Sequence, residues 1–421
     1  MAAEKHPVVV IGAGIVGLST AIWLARLQQA VTLIDRDDIG GAGSTSFGNA
    51  GVLACCSVAP VTGPGLALKG PKLLMDPDFP LFVRWSYLPK LAPWLARYLS
   101  HANDKDTRRI AGGIAPLIHD SVEQHRALAK GTAADDWIRS SDYAFAYPDR
   151  AAFEADRYVW DLRRDAGFLP EVVEGKAVKE REPGLSDAFG CLAVVRDHGM
   201  LRNPSEYLKA LAREARALGV KVLRQEVVDV AIKENRITAV ITRQERHDCH
   251  AAVLATGVWS KPLAQKLGVH VPLESERGYH LHIKNPGVMP GVPLMITTGK
   301  FVATPMDHGL RCAGVVEFGG LKAGPSKAPL ALLRKRVREA FPDVQLGEAE
   351  EWLGHRPAPS DSLPILGEIG KTGVFAGFGH HHIGMTAGPK TGRILAGLIT
   401  NNRENLDLSP YRPDRFAAAR K

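Results

Sequence analysis

The chain lacks any uninterrupted run of roughly 18 apolar residues, the length a membrane-spanning helix needs. Its most hydrophobic window, residues 5–24, is broken by Gly12, Gly14 and Gly17 and carries Ser19 and Thr20. That window leads into a second β-type segment instead of a cleavage site, which argues against a signal peptide or an anchor. The expected location is cytoplasmic. Cysteine is scarce and odd in number: Cys55, Cys56, Cys191, Cys249 and Cys312, with no C-x-x-C spacing. A disulfide framework is therefore not expected, and reduced, mostly structural thiols are. The adjacent Cys55 and Cys56 read as small buried residues, with redox activity the less favoured alternative. Long repeats, low-complexity tracts and interleaved aromatic and basic residues of an RNA-binding kind are also missing, so no nucleic-acid partner is expected. Charge of one sign is not dominant: 53 Lys and Arg stand against 45 Asp and Glu, a formal +8. The cations are scattered, which fits attraction to an anionic cofactor, substrate or lipid headgroup.

What is present points first to a dinucleotide. Val8-Val9-Val10-Ile11 runs into Gly12-Ala13-Gly14-Ile15-Val16-Gly17, a helical pattern follows, and Val31-Thr32-Leu33-Ile34-Asp35 comes next. Gly12 permits the tight turn, Gly14 the approach of a pyrophosphate, and Gly17 close packing of helix on strand. The helix N-terminus supplies free N–H groups and positive dipole to that anion. Asp35, 18 residues beyond Gly17, stands where an acid binds ribose hydroxyls.

The 421 residues suffice for two or three domains' worth of core. Periodicity predicts helices over 106–130, 150–167, 204–218, 327–341 and 386–400. It predicts strands at 143–147, 190–196, 220–223, 227–232, 236–243, 251–254 and 373–377, and an antiparallel meander over 272–320. The predicted class is α/β with α+β character. A discontinuous Rossmann-like cofactor domain (1–62, 197–271, 350–412) carries an inserted substrate domain (63–196, 272–349) built on an antiparallel sheet.

A nicotinamide enzyme would continue after Asp35 with further βα units. Here a loop of small residues follows instead, including Ser46-Phe47-Gly48-Asn49-Ala50-Gly51. Later come Glu276-Arg277-Gly278-Tyr279-His280-Leu281 and Trp352-Leu353-Gly354-His355-Arg356-Pro357, with Asp361, Pro364 and Gly367 completing the second pattern. Over nearly its whole length the chain resembles the FAD-dependent amino-acid oxidoreductases of the glycine oxidase and D-amino-acid dehydrogenase family. It looks most like the bacterial D-amino-acid and D-hydroxyproline dehydrogenases.

The resemblance implies a discontinuous FAD-binding domain. Cofactor contacts are expected from Gly12, Ala13, Gly14, Ile15, Val16 and Gly17, and from Asp35 and Arg36. The small-residue loop adds Ser44, Thr45, Ser46, Asn49, Ala50, Gly51 and Val52. Val228 and the group Thr256, Gly257 and Trp259 follow. The last set is Gly379, His380, His381, His382, Ile383, Gly384 and Met385, ahead of a helix expected from about Ala387. No cysteine follows Cys312, so noncovalent FAD is implied. Arg356 is implied as the anchor of the substrate carboxylate, a task suited to a planar guanidinium; a structural ion pair is the alternative. Tyr279 resembles the family's active-site wall tyrosine, with a core aromatic as the alternative. His280 and Asn49 are candidate substrate contacts, and His280 and His382 are candidate bases. Three consecutive histidines cannot easily aim at one ion, so no metal is assigned.

The implied reaction takes a hydride from the α-carbon of a D-amino acid to flavin N5, and the imine hydrolyses to a 2-oxo acid. The electrons are expected to pass to a quinone or a carrier protein. The alternative is an oxidase of glycine or a secondary or N-methyl amino acid using oxygen. Residues 64–99 interleave Trp85, Tyr87, Trp94 and Tyr98 with Lys69, Lys72, Arg84, Lys90 and Arg97. That pattern suits peripheral contact with the inner membrane face. The favoured alternative packs the rings inside, because Pro71, Pro77, Pro80, Pro89 and Pro93 should break a long amphipathic helix.

Overall fold

The computed structural model describes residues 6–68, 70, 76, 78–402 and 404–417. Four β-branched or apolar residues, Val8–Ile11, are buried on both faces, as a central parallel strand requires. They lie in a six-stranded sheet between Ala251–Leu254 and Val31–Asp35. Lys221–Arg224 continues the sheet on one side and Val374–Phe378 on the other, all parallel. Only the edge strand Ile365–Glu368 runs antiparallel.

Two glycines fix the crossover from the first strand to the helix Ile15–Arg26. Gly12 has φ +102°, and a Cβ there would sit 2.6 Å from the Ala255 carbonyl oxygen. A Cβ on Gly17 would lie 1.8 Å from the Gly12 carbonyl oxygen, so the helix could not pack this close.

A ten-stranded, mainly antiparallel sheet forms the second layer. Its order begins Ala349–Pro359, Leu273–Ile283, Gly309–Phe318, Phe301–Met306 and Leu294–Ile296. Ile138–Tyr147, Cys191–Leu201 and Val52–Leu53 complete the main path. The helix Lys327–Ala340 buries Leu330, Leu333 and Val337 against Leu281, Phe301 and Cys312 on one face of this sheet. Because side chains alternate along a strand, Glu276, Gly278 and His280 point to the opposite face, toward the six-stranded sheet. Residues 350–359, expected in the cofactor domain, belong to the strand Ala349–Pro359, which is paired along its length with Leu273–Ile283 in the large sheet.

Other elements depart from the periodicity. Residues 106–130 form two helices, Asp104–Ile118 and Ser121–Ala129, separated at Asp120, whose ψ of 31° is not helical. Leu88–Ser100 is a helix despite Pro89 and Pro93. Pro89 stands in the first turn, where no N–H is needed, and Pro93 costs a bond only to a carbonyl near that same end. Within it Trp94 and Tyr98 are buried, stacked on each other at 4.6 Å, while Trp85 stays 66% exposed. Lys69, Lys72, Pro71 and Pro77 lie outside the described residues. Among the described residues no helix is long and apolar enough to cross a membrane. All five cysteines are unpaired and buried, and burial pushes the Cys56 thiol up to about 12.

Candidate active site

Between the two sheets lies a cavity of about 1130 Å³. Two helices end on it without side-chain caps of their own and without acids in their first turns. One is Ile15–Arg26, whose N-cap is Gly14. The other is Gly384–Ile399, whose N-cap is Ile383. The second helix starts three residues before the expected Ala387. Gly388 and Pro389 weaken the helical signal there, yet a 3-10 turn over His381–Ile383 feeds directly into it. Two helix N-termini with positive dipole and no acid in the first turn make a pair of anion-binding positions.

At the first end, Asp35 Oδ2 accepts the Ala13 N–H at 2.5 Å and Asp35 Oδ1 the Asp37 N–H at 2.9 Å. Burial raises the Asp35 carboxyl above its ordinary value against those two bonds. Ser46 Oγ accepts the Ile15 N–H at 3.2 Å, which joins the small-residue loop to the fingerprint. Arg36 stacks on Trp259 at 4.4 Å, and both border the cavity near Val228 and Thr256. Ala13, Ser44, Thr45, Asn49, Ala50, Val52 and Gly257 also border it, as do His380, His381, His382, Ile383 and Met385. Gly17, Gly51 and Gly379 are behind the lining.

At the other end Arg356 Nη1 donates to Glu276 Oε1 at 2.9 Å. Among the described residues its other guanidinium nitrogens have no protein partner, and the side chain is 23% exposed toward the cavity. The opposite oxygen, Glu276 Oε2, accepts the His381 Nε2–H at 2.5 Å. Burial alone would raise the Glu276 pKa; the His381 ring and the Arg356 guanidinium outweigh it and hold the carboxyl well below the usual range. Gly278 supplies the room: a Cβ there would come within 2.6 Å of Arg356 Cζ. His382 Nδ1 is 3.4 Å from His381 Nδ1, and burial pushes the His382 ring down to about 3.

Three expected contacts are placed differently. Tyr279 borders the cavity but is only 1% exposed, and its hydroxyl donates to Glu317 Oε2 at 2.6 Å and accepts the Ser326 N–H at 3.0 Å. Both of these bonds of the hydroxyl are to the protein. His280, a candidate substrate contact, supports the small-residue loop. Its Nδ1–H donates to the Gly48 carbonyl, its ring stacks on Trp352 at 5.0 Å, and burial pushes it down to about 3. Asn49 borders the cavity, yet its Oδ1 is taken by the Gly51 N–H at 2.7 Å.

Two residues at this site were not singled out from sequence. Glu276 was quoted only as part of a motif, though an acid two residues from a strand glycine on the cavity face was the available signal. Arg311 donates from Nη1 to the carbonyls of Phe47 and Asn49 and so holds the small-residue loop from below. Among the described residues no group of three His, Cys, Asp or Glu side chains could hold a metal.

The fold and the site define an enzyme that binds a dinucleotide cofactor in a cavity bordered by Arg356. A family model described as FAD dependent oxidoreductase matches residues 7–398, and the chain belongs to that family. A protein of Bradyrhizobium diazoefficiens named D-amino-acid oxidase is 37% identical over 419 residues, covering 98% of this chain and 99% of the relative. One of Helicobacter pylori named D-amino acid dehydrogenase is 28% identical, covering 96% and 98%. The glycine oxidase structure from Geobacillus kaustophilus superposes with a TM-score of 0.73 at 19% identity, covering 98% and 99%, a likeness of fold. The residues present fit FAD. Two helix N-termini without acids in their first turns suit its pyrophosphate and flavin ends, and Asp35 suits its ribose.

Proposed function

We propose that this chain oxidatively deaminates a D-amino acid to a 2-oxo acid and passes the electrons to an acceptor other than oxygen. The observation that carries the reading is Arg356, held by Glu276 at one nitrogen and open to the cavity at the others. The names borne by the 37% and 28% identical relatives support a D-amino acid as substrate. Bound FAD would supply the two-electron oxidant for loss of hydride from the α-carbon.

The chain's own groups do the positioning. Arg356 grips the substrate carboxylate, and Glu276 with His381 fixes the plane of the guanidinium. His382, neutral because burial holds it near 3, leaves the substrate amine uncharged company and suits binding of the free amine. The N-terminus of Gly384–Ile399 places positive dipole at the cavity, where it favours developing negative charge. Water then converts the released imine to the 2-oxo acid and ammonia.

The absence of a cysteine after Cys312 supports noncovalent FAD. Peripheral contact with an anionic membrane is supported by exposed Val61, Leu68 and Trp85 beside exposed Lys90 and Arg97. The reading is tested by turnover with an artificial dye and with oxygen, measuring 2-oxo acid. Dye-dependent product from D- but not L-enantiomers is expected. Product only from glycine or N-methyl amino acids, with oxygen consumed, would replace it with the oxidase reading.

A further inference from the structure

Beyond Arg356 the cavity continues under the helix Leu88–Ser100. That helix turns Leu88, Leu91, Leu95 and Leu99 to the cavity, at the spacing of one helical face. Leu88, Leu95 and Leu99 are only half-buried. Opposite them stand Leu81, Val83 and Phe318. Among the described residues of this lobe none carries a charge. The charged neighbours are spoken for or face water. Arg84 is taken by Glu317, the Gly324 carbonyl and Ser326. Lys90, Arg97 and Lys300 are exposed.

The lobe joins the anchor through strand register. Glu276 is paired with Arg356 on one side and with Phe318 on the other. Directly paired residues share a face, and two strand spacings are about 10 Å. Phe318 therefore lies on the same sheet face as Arg356, about 10 Å away backbone to backbone. Tyr98, on the same helix, borders the same cavity as Glu276 and Arg356.

We propose that this leucine-lined lobe is the side-chain subsite of the enzyme, and that its substrates are amino acids with unbranched or bulky apolar side chains. The inference rests on the proposed deamination. A carboxylate on Arg356 leaves the side chain within reach of Phe318 and Leu95. An apolar side chain there covers leucine surface that is otherwise wet. An acidic or basic side chain would lose water and find no partner.

The test is a homologous series on the FAD-loaded enzyme: D-alanine, D-2-aminobutyrate, D-norvaline and D-norleucine. Each added methylene should raise kcat/KM by about fourfold, the factor for one buried CH₂. D-Aspartate and D-lysine should fall at least 100-fold below D-norleucine. Leu95→Asp should flatten the series and raise D-lysine relative to D-norleucine at least tenfold, with FAD content measured as the check on folding. Leu95→Ala, the milder variant, should reduce the slope. A flat or falling series in the parent, with D-alanine turned over, overturns the subsite and leaves the deamination standing. An unchanged slope in a folded Leu95→Asp, or a short-tailed quinone that competes with D-norleucine, also overturns it. No flavin reduction by any D-amino acid would overturn the deamination itself.

Discussion

Arg356→Ala removes the anchor and at the same time strips Glu276 of one of its two side-chain hydrogen-bond donors. Losing one side of a buried, charge-assisted contact costs about 2–5 kcal/mol, or about 30- to 5000-fold in kcat/KM. Two features of the site place the direct loss toward the lower half. The Arg356 side chain is 23% exposed, and Nη1 is shared with Glu276. A second effect adds to it, because Glu276 then faces the incoming carboxylate with only His381 beside it. The double variant Arg356→Ala with Glu276→Gln removes that repulsion and should recover about tenfold of the loss, a coupling measurable as a double-mutant cycle. The assay is kcat/KM for a D-amino acid beside the corresponding amine without a carboxylate, each at known FAD content. The loss should be confined to the carboxylate substrate. If Arg356→Ala lies within threefold of the parent, or if the amine loses as much as the amino acid, the anchor is elsewhere and the reasoning fails.

Other changes have equally definite outcomes. Gly278→Ala keeps the guanidinium but puts a Cβ 2.6 Å from its Cζ, so KM for the substrate should rise at least tenfold with FAD retained. Asp35→Ala leaves the Ala13 N–H unbonded and should weaken FAD binding at least tenfold by equilibrium dialysis. Pro389 lacks the N–H that would bond the Met385 carbonyl, and His125 Nε2–H takes its place at 2.9 Å, with Tyr207 bonded to the other ring nitrogen. His125→Phe should therefore loosen the first turn of Gly384–Ile399 and shift the flavin midpoint potential, while His125→Gln restores it. Burial pushes His125 down to about 4, as it does His355 and His380. Such rings are neutral when folded and charge on unfolding, so thermal stability should fall as pH drops from about 6.5 toward 4 and hold above that window.

Short-range patterns carried most of what was legible in the sequence. Val8–Ile11, its glycines and Asp35 announce a turn and an anion site within 30 residues of chain, because each residue type is demanded locally. The strands of the meander and the helix Pro204–Ala217 were visible in the same way. What was hidden depends on partners far apart in sequence. Arg356 and Glu276 are 80 residues apart, His381 and Glu276 are 105, and His125 and Met385 are 260. Tyr279 and His280 show the limit from the other side. Their motif was recognisable, but which face each takes follows from strand pairing, and pairing turned one hydroxyl to Glu317 and one ring onto Trp352. Pro89 and Pro93 misled because proline was weighed without its position in the helix.

The central claim is that a D-amino acid, gripped at Arg356, delivers its α-hydride to bound FAD. Anaerobic mixing of the FAD-loaded protein with the D- and L-enantiomers of alanine, followed at the visible absorbance of oxidised flavin, tests it without any acceptor and without relying on the leucine-lined lobe. Rapid bleaching by the D-enantiomer, none by the L-enantiomer, and slow bleaching in Arg356→Ala is the predicted result. Bleaching by the L-enantiomer at an equal or greater rate, or no bleaching by either, would contradict the account.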